Sequence, residues 1–325
     1  MEPSKILYLS QDDVKRVGLS MADIIESVEK GFFELGNGRV EMPPKPGIHP
    51  GEGGNNFIHA MPAYIPALNS AGVKWVSGYP GNSAKGLPYI TGLMIINDPE
   101  TGLPKAVMDC VWITAMRTGA ASAISAKYLA RPESSTIGIL ACGVQGVTNL
   151  EALNVLFPLK RVRAFDTNAE QAQKLADYAQ TLGLGVDIVS DPRDAVSGCD
   201  IIVTSGPILK KPHETIKAGW MDEGAFATLV DFDSFWARDA MRVASQWTTD
   251  HLGQYNYYKA NGYFQDCPDV TAELGELVTG KKPGREKSEE RTFAANLGLA
   301  VDDMAVAPLV YERAMTQGIG IKIPL

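Results

Sequence analysis

The sequence predicts an α/β protein: a doubly wound parallel sheet together with a second α/β region. Three observations predict it. From Ser135 onward, short apolar runs alternate with helical periodicity, as in a parallel sheet buried on both faces. A glycine turn within IGILACGVQGVTN, residues 137–149, joins the first of those runs to a helix. Before Ser135 the strands read instead as hairpin partners separated by proline and glycine.

Taken in order, ILYLS is a strand. Residues 21–35 form a helix, with Ser20 as N-cap and Ile24, Val28, Phe32 and Leu35 at helical spacing. Pro43, Pro44, Pro46 and Pro50, with Gly47, Gly51, Gly53 and Gly54, make the next segment extended and turn-rich. FIHAMPAYI, GVKWVSGY and ITGLMIIND are strands, and PETGLP turns the last one back onto AVMDCVWI as a hairpin. The alanine-rich residues 114–129 favour a helix, which Arg131 and Pro132 end. TIGIL and VRAFD are strands on either side of a VTNLEALNVLF helix. Asn168 and Gln171 resemble a capping box for a helix that carries Ala172, Leu175, Ala176 and Ala179 on one face. VDIVS, CDIIVTS, AFATLVDF and VASQWTTD continue the alternation through right-handed crossovers, and a helix over 297–317 closes the chain. The organisation implied is one domain of residues 1–125 completed by 296–325, and a second of 126–295.

Composition narrows the function. A chain of 325 residues suggests two domains, and 45% hydrophobic with 21% charged residues suits a soluble globular protein. A net charge of -8 argues against a nucleic-acid partner, which would draw on clustered lysine and arginine. Cys110, Cys142, Cys199 and Cys267 have no C-x-x-C spacing, and no signal-like segment precedes them. Free thiols in a reducing cytoplasm, without a metal site, are therefore expected. No apolar run approaches the ~20 residues of a membrane span.

In the glycine turn, Ala141 holds the place of the first glycine of G-x-G-x-x-G, ahead of Gly143 and Gly146. The turn follows a strand and opens a helix, and the next strand ends in Asp166, at the distance of roughly 20 residues that suits a dinucleotide. The pyrophosphate would lie at the positive end of the helix starting near Val144. Gly143 admits the phosphates, Gly146 lets helix and strand pack closely, and Ala141 adds one methyl that tightens the fit. Asp166 would accept from both ribose hydroxyls and repel a 2′-phosphate; Thr167 and Asn168 supply no cation, so NAD(H) is expected over NADP(H). The competing reading is a structural corner with a capping aspartate.

Four further positions carry chemistry. Lys74 lies in an otherwise apolar strand, where a buried lysine is costly unless paired or used. Arg117 sits among small residues on a helix, and a guanidinium there can grip a carboxylate bidentately. Lys45 and His59 read equally well as substrate contacts or as, respectively, a solvated loop charge and a satisfied half-buried ring. Asp231 and Asp233 follow a strand end, where ligands of such sheets bind, and are acid–base candidates; each alone reads as a turn-capping aspartate. Phe232, Phe235 and Trp236 beside them fit either a pocket wall or a core.

MPAY, KWVSGYPGN, AMRTGAASAISAKYLARP, the GVQG turn, VDFDS and LVYERAMTQGIG together resemble the ornithine cyclodeaminase/mu-crystallin family, in order along nearly the whole chain. The resemblance implies a homodimer built from a Rossmann-like NAD-binding domain and an α/β substrate-binding and dimerisation domain. It implies action on amino acids or their imines, by cyclodeamination, dehydrogenation or imine reduction. Carried over by motif, Lys74 and Arg117 contact a substrate carboxylate, Lys45 stands where the family has arginine, and Asp233 is the acid–base residue; Lys74 is taken as catalytic as well. Asp231 stands where relatives have glycine. The cofactor contacts implied are Arg117, Thr118, Gly143, Val144, Gln145, Gly146, Asp166, Thr167, Thr204, Ser205, Val230, Asp231 and Asp233. His59 replaces a glutamate that suits a diamine's distal ammonium, which counts against an ornithine-type substrate. The leading expectation is thus an NAD-dependent amino acid dehydrogenase or imine reductase. A cyclodeaminase with catalytic NAD comes second, and a non-catalytic cofactor- or ligand-binding protein third.

Overall fold

Ser10 and Ser20 each accept a hydrogen bond from the backbone N–H of the aspartate three residues on. Asp13 and Asp23 return the bond, so two capping boxes start α1 (Gln11–Arg16) and α2 (Met21–Gly36). The computed structural model describes residues 5–51 and 56–325; Gly53 and Gly54 of the turn-rich segment lie outside the described residues. The strands up to the third helix are β1 (Lys5–Leu9), β2 (Gly47–Ile48), β3 (Phe57–Ile65), β4 (Ser70–Gly78), β5 (Ile90–Asn97) and β6 (Pro104–Asp109). Then come α3 (Val111–Leu129), β7 (Thr136–Leu140), α4 (Val144–Leu156), β8 (Arg161–Phe165), α5 (Ala169–Thr181), β9 (Gly185–Ile188), β10 (Ile201–Thr204) and β11 (Phe226–Leu229). The chain ends with α6 (Arg238–Met241), β12 (Gln246–Thr249), α7 (Leu252–Ala260), β13 (Ala272–Glu273), α8 (Leu274–Val278), β14 (Thr292–Ala295), α9 (Ala300–Gln317) and β15 (Ile321–Pro324). It divides into two units, Met1–Arg117 with Leu299–Leu325, and Thr118–Gly298.

The first unit holds a seven-stranded sheet in the order β15-β1-β6-β5-β4-β3-β2, antiparallel except where β1 lies parallel to β6. The PETGLP hairpin pairs β5 with β6. VWI leaves the expected strand and starts α3 instead, because Asp109 Oδ1 accepts the Val111 N–H at 2.9 Å. One face of the sheet is covered by α9. Ser70 Oγ donates to Met304 O at 2.6 Å, and on α2 Ser27 Oγ donates to Ala305 O at 2.7 Å, so α9 is bonded to both β4 and α2. Met61 faces Lys74 across β3 and β4, which puts Lys74 on the covered side. The other side of the sheet bears Trp75, 50% exposed, and its β5 partner Leu93, 42% exposed.

The second unit holds eight parallel strands in the order β13-β12-β14-β11-β10-β7-β8-β9. The strand order reverses between β7 and β10, the crevice at which doubly wound sheets bind ligands. A Cβ at Gly138 of β7 would lie 1.7 Å from Ala195 O, and one at Gly119 of α3 would lie 2.4 Å from Thr148 O on α4. Both glycines therefore permit backbone-to-backbone packing beneath the turn. Among the described residues no helix is long and apolar enough to cross a membrane.

Candidate functional site

The turn from β7 into α4 is residues 141–143. Gly143 is the N-cap of α4 and no side chain caps it; a Cβ there would meet nothing within 4 Å, and Val144 is 66% exposed. The first-turn N–H groups are left for an outside acceptor, and Gln145 follows half-buried. At Gly146 a Cβ would lie 2.7 Å from Ala141 O, so only glycine seats α4 against the turn. Ala141 itself has φ +73°. The expectation that its methyl merely tightens the fit is corrected by this left-handed backbone, which costs an alanine about 1–2 kcal/mol. The turn is held by Ala141 N–H donating to Phe165 O at 2.9 Å and by Ser205 Oγ donating to Ala141 O at 2.8 Å.

Asp166, at the end of β8, accepts the Cys142 N–H on Oδ2 at 2.7 Å and the Asn168 N–H on Oδ1 at 2.8 Å. It is a brace for the turn, and each oxygen keeps a second acceptor direction for a ribose hydroxyl. Thr167 beside it is exposed. Ser205 and Val230 are half-buried at the ends of β10 and β11, and Thr118 is half-buried in α3.

Thr204 and the two aspartates stand differently from expectation. Thr204 is fully buried, and its hydroxyl donates to Asp231 Oδ1 at 2.6 Å while accepting from Trp236 Nε1 at 3.3 Å. It ties β10 to β11 and presents no open hydroxyl to a cofactor. Asp231 is also fully buried; Oδ2 has no partner among the described residues, and burial pushes its pKa up to about 7. Between an ordinary carboxylate pKa and about 7 the folded state holds a proton that the unfolded state has lost, so stability falls as pH rises through that window. Phe232 separates the pair with φ +64°, which turns Asp233 inward. Asp233 is 3% exposed, beside the Phe264 N–H and the Cys267 thiol, and burial raises its pKa. Asp233 nevertheless lines a small cavity beyond the strand end, with Lys210, Pro212, Trp236 and Gln265. Phe232, Phe235 and Trp236 are core, packed with Trp247, Tyr255, Phe264 and Phe293, and Trp236 also lines the small cavity beside Asp233.

In the first unit the four predicted basic residues gather. Lys74, 1% exposed, places Nζ 2.6 Å from Asp303 Oδ2 and 3.5 Å from Thr114 Oγ1. Arg117, 5% exposed, donates from Nε to Asp303 Oδ1 and from Nη1 to Asp302 Oδ2, each at 3.1 Å. Burial brings the Lys74 pKa down to about 8; Asp303 opposes that shift and Arg117 adds to it. His59 stacks on Phe57 at 4.5 Å, and a Cβ at Gly47 would run into its ring. Burial, then the charges of Lys45, His49 and Lys74, take the His59 pKa down to about 4, so the ring is neutral at pH 7. Lys45, half-buried just before β2, is thereby placed within electrostatic reach of His59. Asp302 and Asp303 escape sequence reasoning, since two acidic residues in the first turn of a helix are ordinary dipole partners.

The family model described as the ornithine cyclodeaminase/mu-crystallin family matches residues 5–318. The chain is 38% identical over 326 residues to the alanine dehydrogenase of Archaeoglobus fulgidus, covering 98% of each. Among solved structures it is similar to an archaeal alanine dehydrogenase dimer with bound NAD, at 36% identity and TM-score 0.88, over 99% of this chain and 100% of that one. It is also similar to the Thermococcus litoralis Δ1-pyrroline-2-carboxylate reductase in complex with NADH and L-proline, at 34% identity and TM-score 0.88, over 98% and 100%.

Proposed function

Because the chain belongs to the ornithine cyclodeaminase/mu-crystallin family, we propose that it is an NAD-dependent oxidoreductase transferring hydride between NAD(H) and the Cα of a small amino acid or its imine. The observation that carries the reading is the buried Lys74–Arg117 pair, held by Asp302 and Asp303, beside a His59 that is neutral at pH 7 and so offers no charge to a distal ammonium. The residues of the glycine turn fit a dinucleotide. Gly143 leaves open space before uncapped N–H groups for the pyrophosphate, and Asp166 has acceptor capacity left for the ribose. The bound cofactor supplies or accepts the hydride.

The chain's own residues do the rest. Arg117, with five N–H donors, and Lys45 receive the substrate carboxylate, and such positioning contributes on the order of 7 kcal/mol. Lys74, with its pKa near 8, or Asp233 carries the proton for the amine or imine nitrogen, since a catalytic group works best with a pKa near the working pH. His59 adds a neutral ring where a diamine would need a carboxylate, which favours small uncharged side chains over ornithine. To test this, the protein is mixed with NADH and either pyruvate plus ammonium or Δ1-pyrroline-2-carboxylate, and NADH absorbance is followed. Continuous loss of NADH is expected. Ammonia release from ornithine at constant absorbance would reverse the assignment.

The reading includes a homodimer in the cytoplasm. A second copy would cover the exposed sheet face of Trp75 and Leu93, and the cysteines are free thiols. Trp75→Glu is expected to halve the mass seen by light scattering; a wild-type protein already at 35.0 kDa would contradict the dimer, and recovery outside the cytosolic fraction the location.

A further inference from the structure

We infer that Asp303 is a positioning residue of this site, one carboxylate that sets the separation of Lys74 and Arg117 and keeps the buried Lys74 ammonium charged. The inference rests on the proposed function for what the cations hold, and on geometry alone for how they are held. Asp303 gives one oxygen to each cation, Oδ2 to Lys74 Nζ at 2.6 Å and Oδ1 to Arg117 Nε at 3.1 Å, and its side chain is 0% exposed. Asp302 is different: it accepts from Arg117 Nη1 and from the Leu299 N–H at 3.0 Å, so it anchors the helix start as well as the guanidinium. Two buried cations against two buried anions leave the cluster neutral, the condition under which charges stay inside a protein.

The groups around Lys74 make Asp303 decisive. From α9 comes Asp303. Arg117 and Thr114 come from α3, Cys110 lies just before it, and His59 stands on β3. The neighbours across the sheet, Met61 and Met94, are apolar. Of these, Asp303 favours the ammonium most strongly, while burial and Arg117 oppose it. An opposite charge within about 4–6 Å moves a pKa by roughly 1–3 units, so its loss takes Lys74 to half-protonated or less at pH 7.

The test is lysine NMR on the full-length protein labelled with 13C at Cε, with the Lys74 signal assigned by its absence in Lys74→Met. The wild-type signal is expected to titrate near pH 8, and Asp303→Asn to lower that midpoint by at least about 1 unit. Asp302→Asn should leave it in place. Asp303→Glu, which keeps the charge on a longer arm and guards against failure of the asparagine variant to fold, should restore the titration. With pyruvate, ammonium and NADH, it should also raise KM for pyruvate about tenfold at unchanged kcat. An unshifted midpoint in Asp303→Asn, an equal shift in Asp302→Asn, or an unchanged KM in Asp303→Glu would overturn the inference. Absence of turnover in the wild type would instead overturn the proposed function, while the titration still reports on Asp303.

Discussion

Arg117→Met is expected to lower the free energy of unfolding by about 3–5 kcal/mol and to abolish NADH-linked turnover. The side chain is 5% exposed and joins two carboxylates of α9, so its removal takes a cation from both buried Asp302 and buried Asp303. Uncompensated buried charge is the expensive outcome, more so than loss of the contacts themselves. Arg117→Lys keeps the charge but cannot reach both carboxylates with a planar fork, and should fall between the two. Urea denaturation followed by circular dichroism measures the stability. A loss below about 1 kcal/mol would place the pair in the class of exposed ion pairs and remove the electrostatic basis of the site.

Asp166→Ala combined with Thr167→Arg is expected to move preference from NADH toward NADPH by roughly 100-fold in kcat/KM. Hydrogen bonds to a charged group contribute about 1.5–3 kcal/mol each, and the new cation meets the 2′-phosphate. Asp166 also braces the Cys142 and Asn168 N–H groups, so the same variant should unfold at a lower temperature than the wild type. Equal kcat/KM ratios for the two cofactors before and after substitution would show that no ribose lies against Asp166.

What the sequence discloses follows from the range of the forces concerned. The glycine turn was legible because its requirements are local: Gly146 answers to the backbone of Ala141 five residues earlier, and Asp166 to the turn from the next strand. Lys74 and Arg117 were legible as charges in apolar surroundings. Their partners were not, since Arg117 and Asp303 are separated by 186 positions and nothing in a first-turn aspartate announces a distant arginine. The two aspartates after β11 are candidates by their place after a strand end, and Asp233 by motif as well. The motif is blind to a left-handed Phe232, a conformation costly for a bulky residue, which sends Asp231 to Thr204 and Asp233 toward Cys267. The short strands β13 and β14 and the helices α7 and α8 carry too few residues for a period to show.

Reduction of Δ1-pyrroline-2-carboxylate, or of pyruvate with ammonium, by NADH carrying deuterium at the transferable C4 position tests the central claim most directly. The account predicts an amino acid one mass unit heavier, with the deuterium on Cα and one NAD formed per product molecule. Product without deuterium, or deuterium retained on the dinucleotide while ammonia is released from an amino acid, would contradict it.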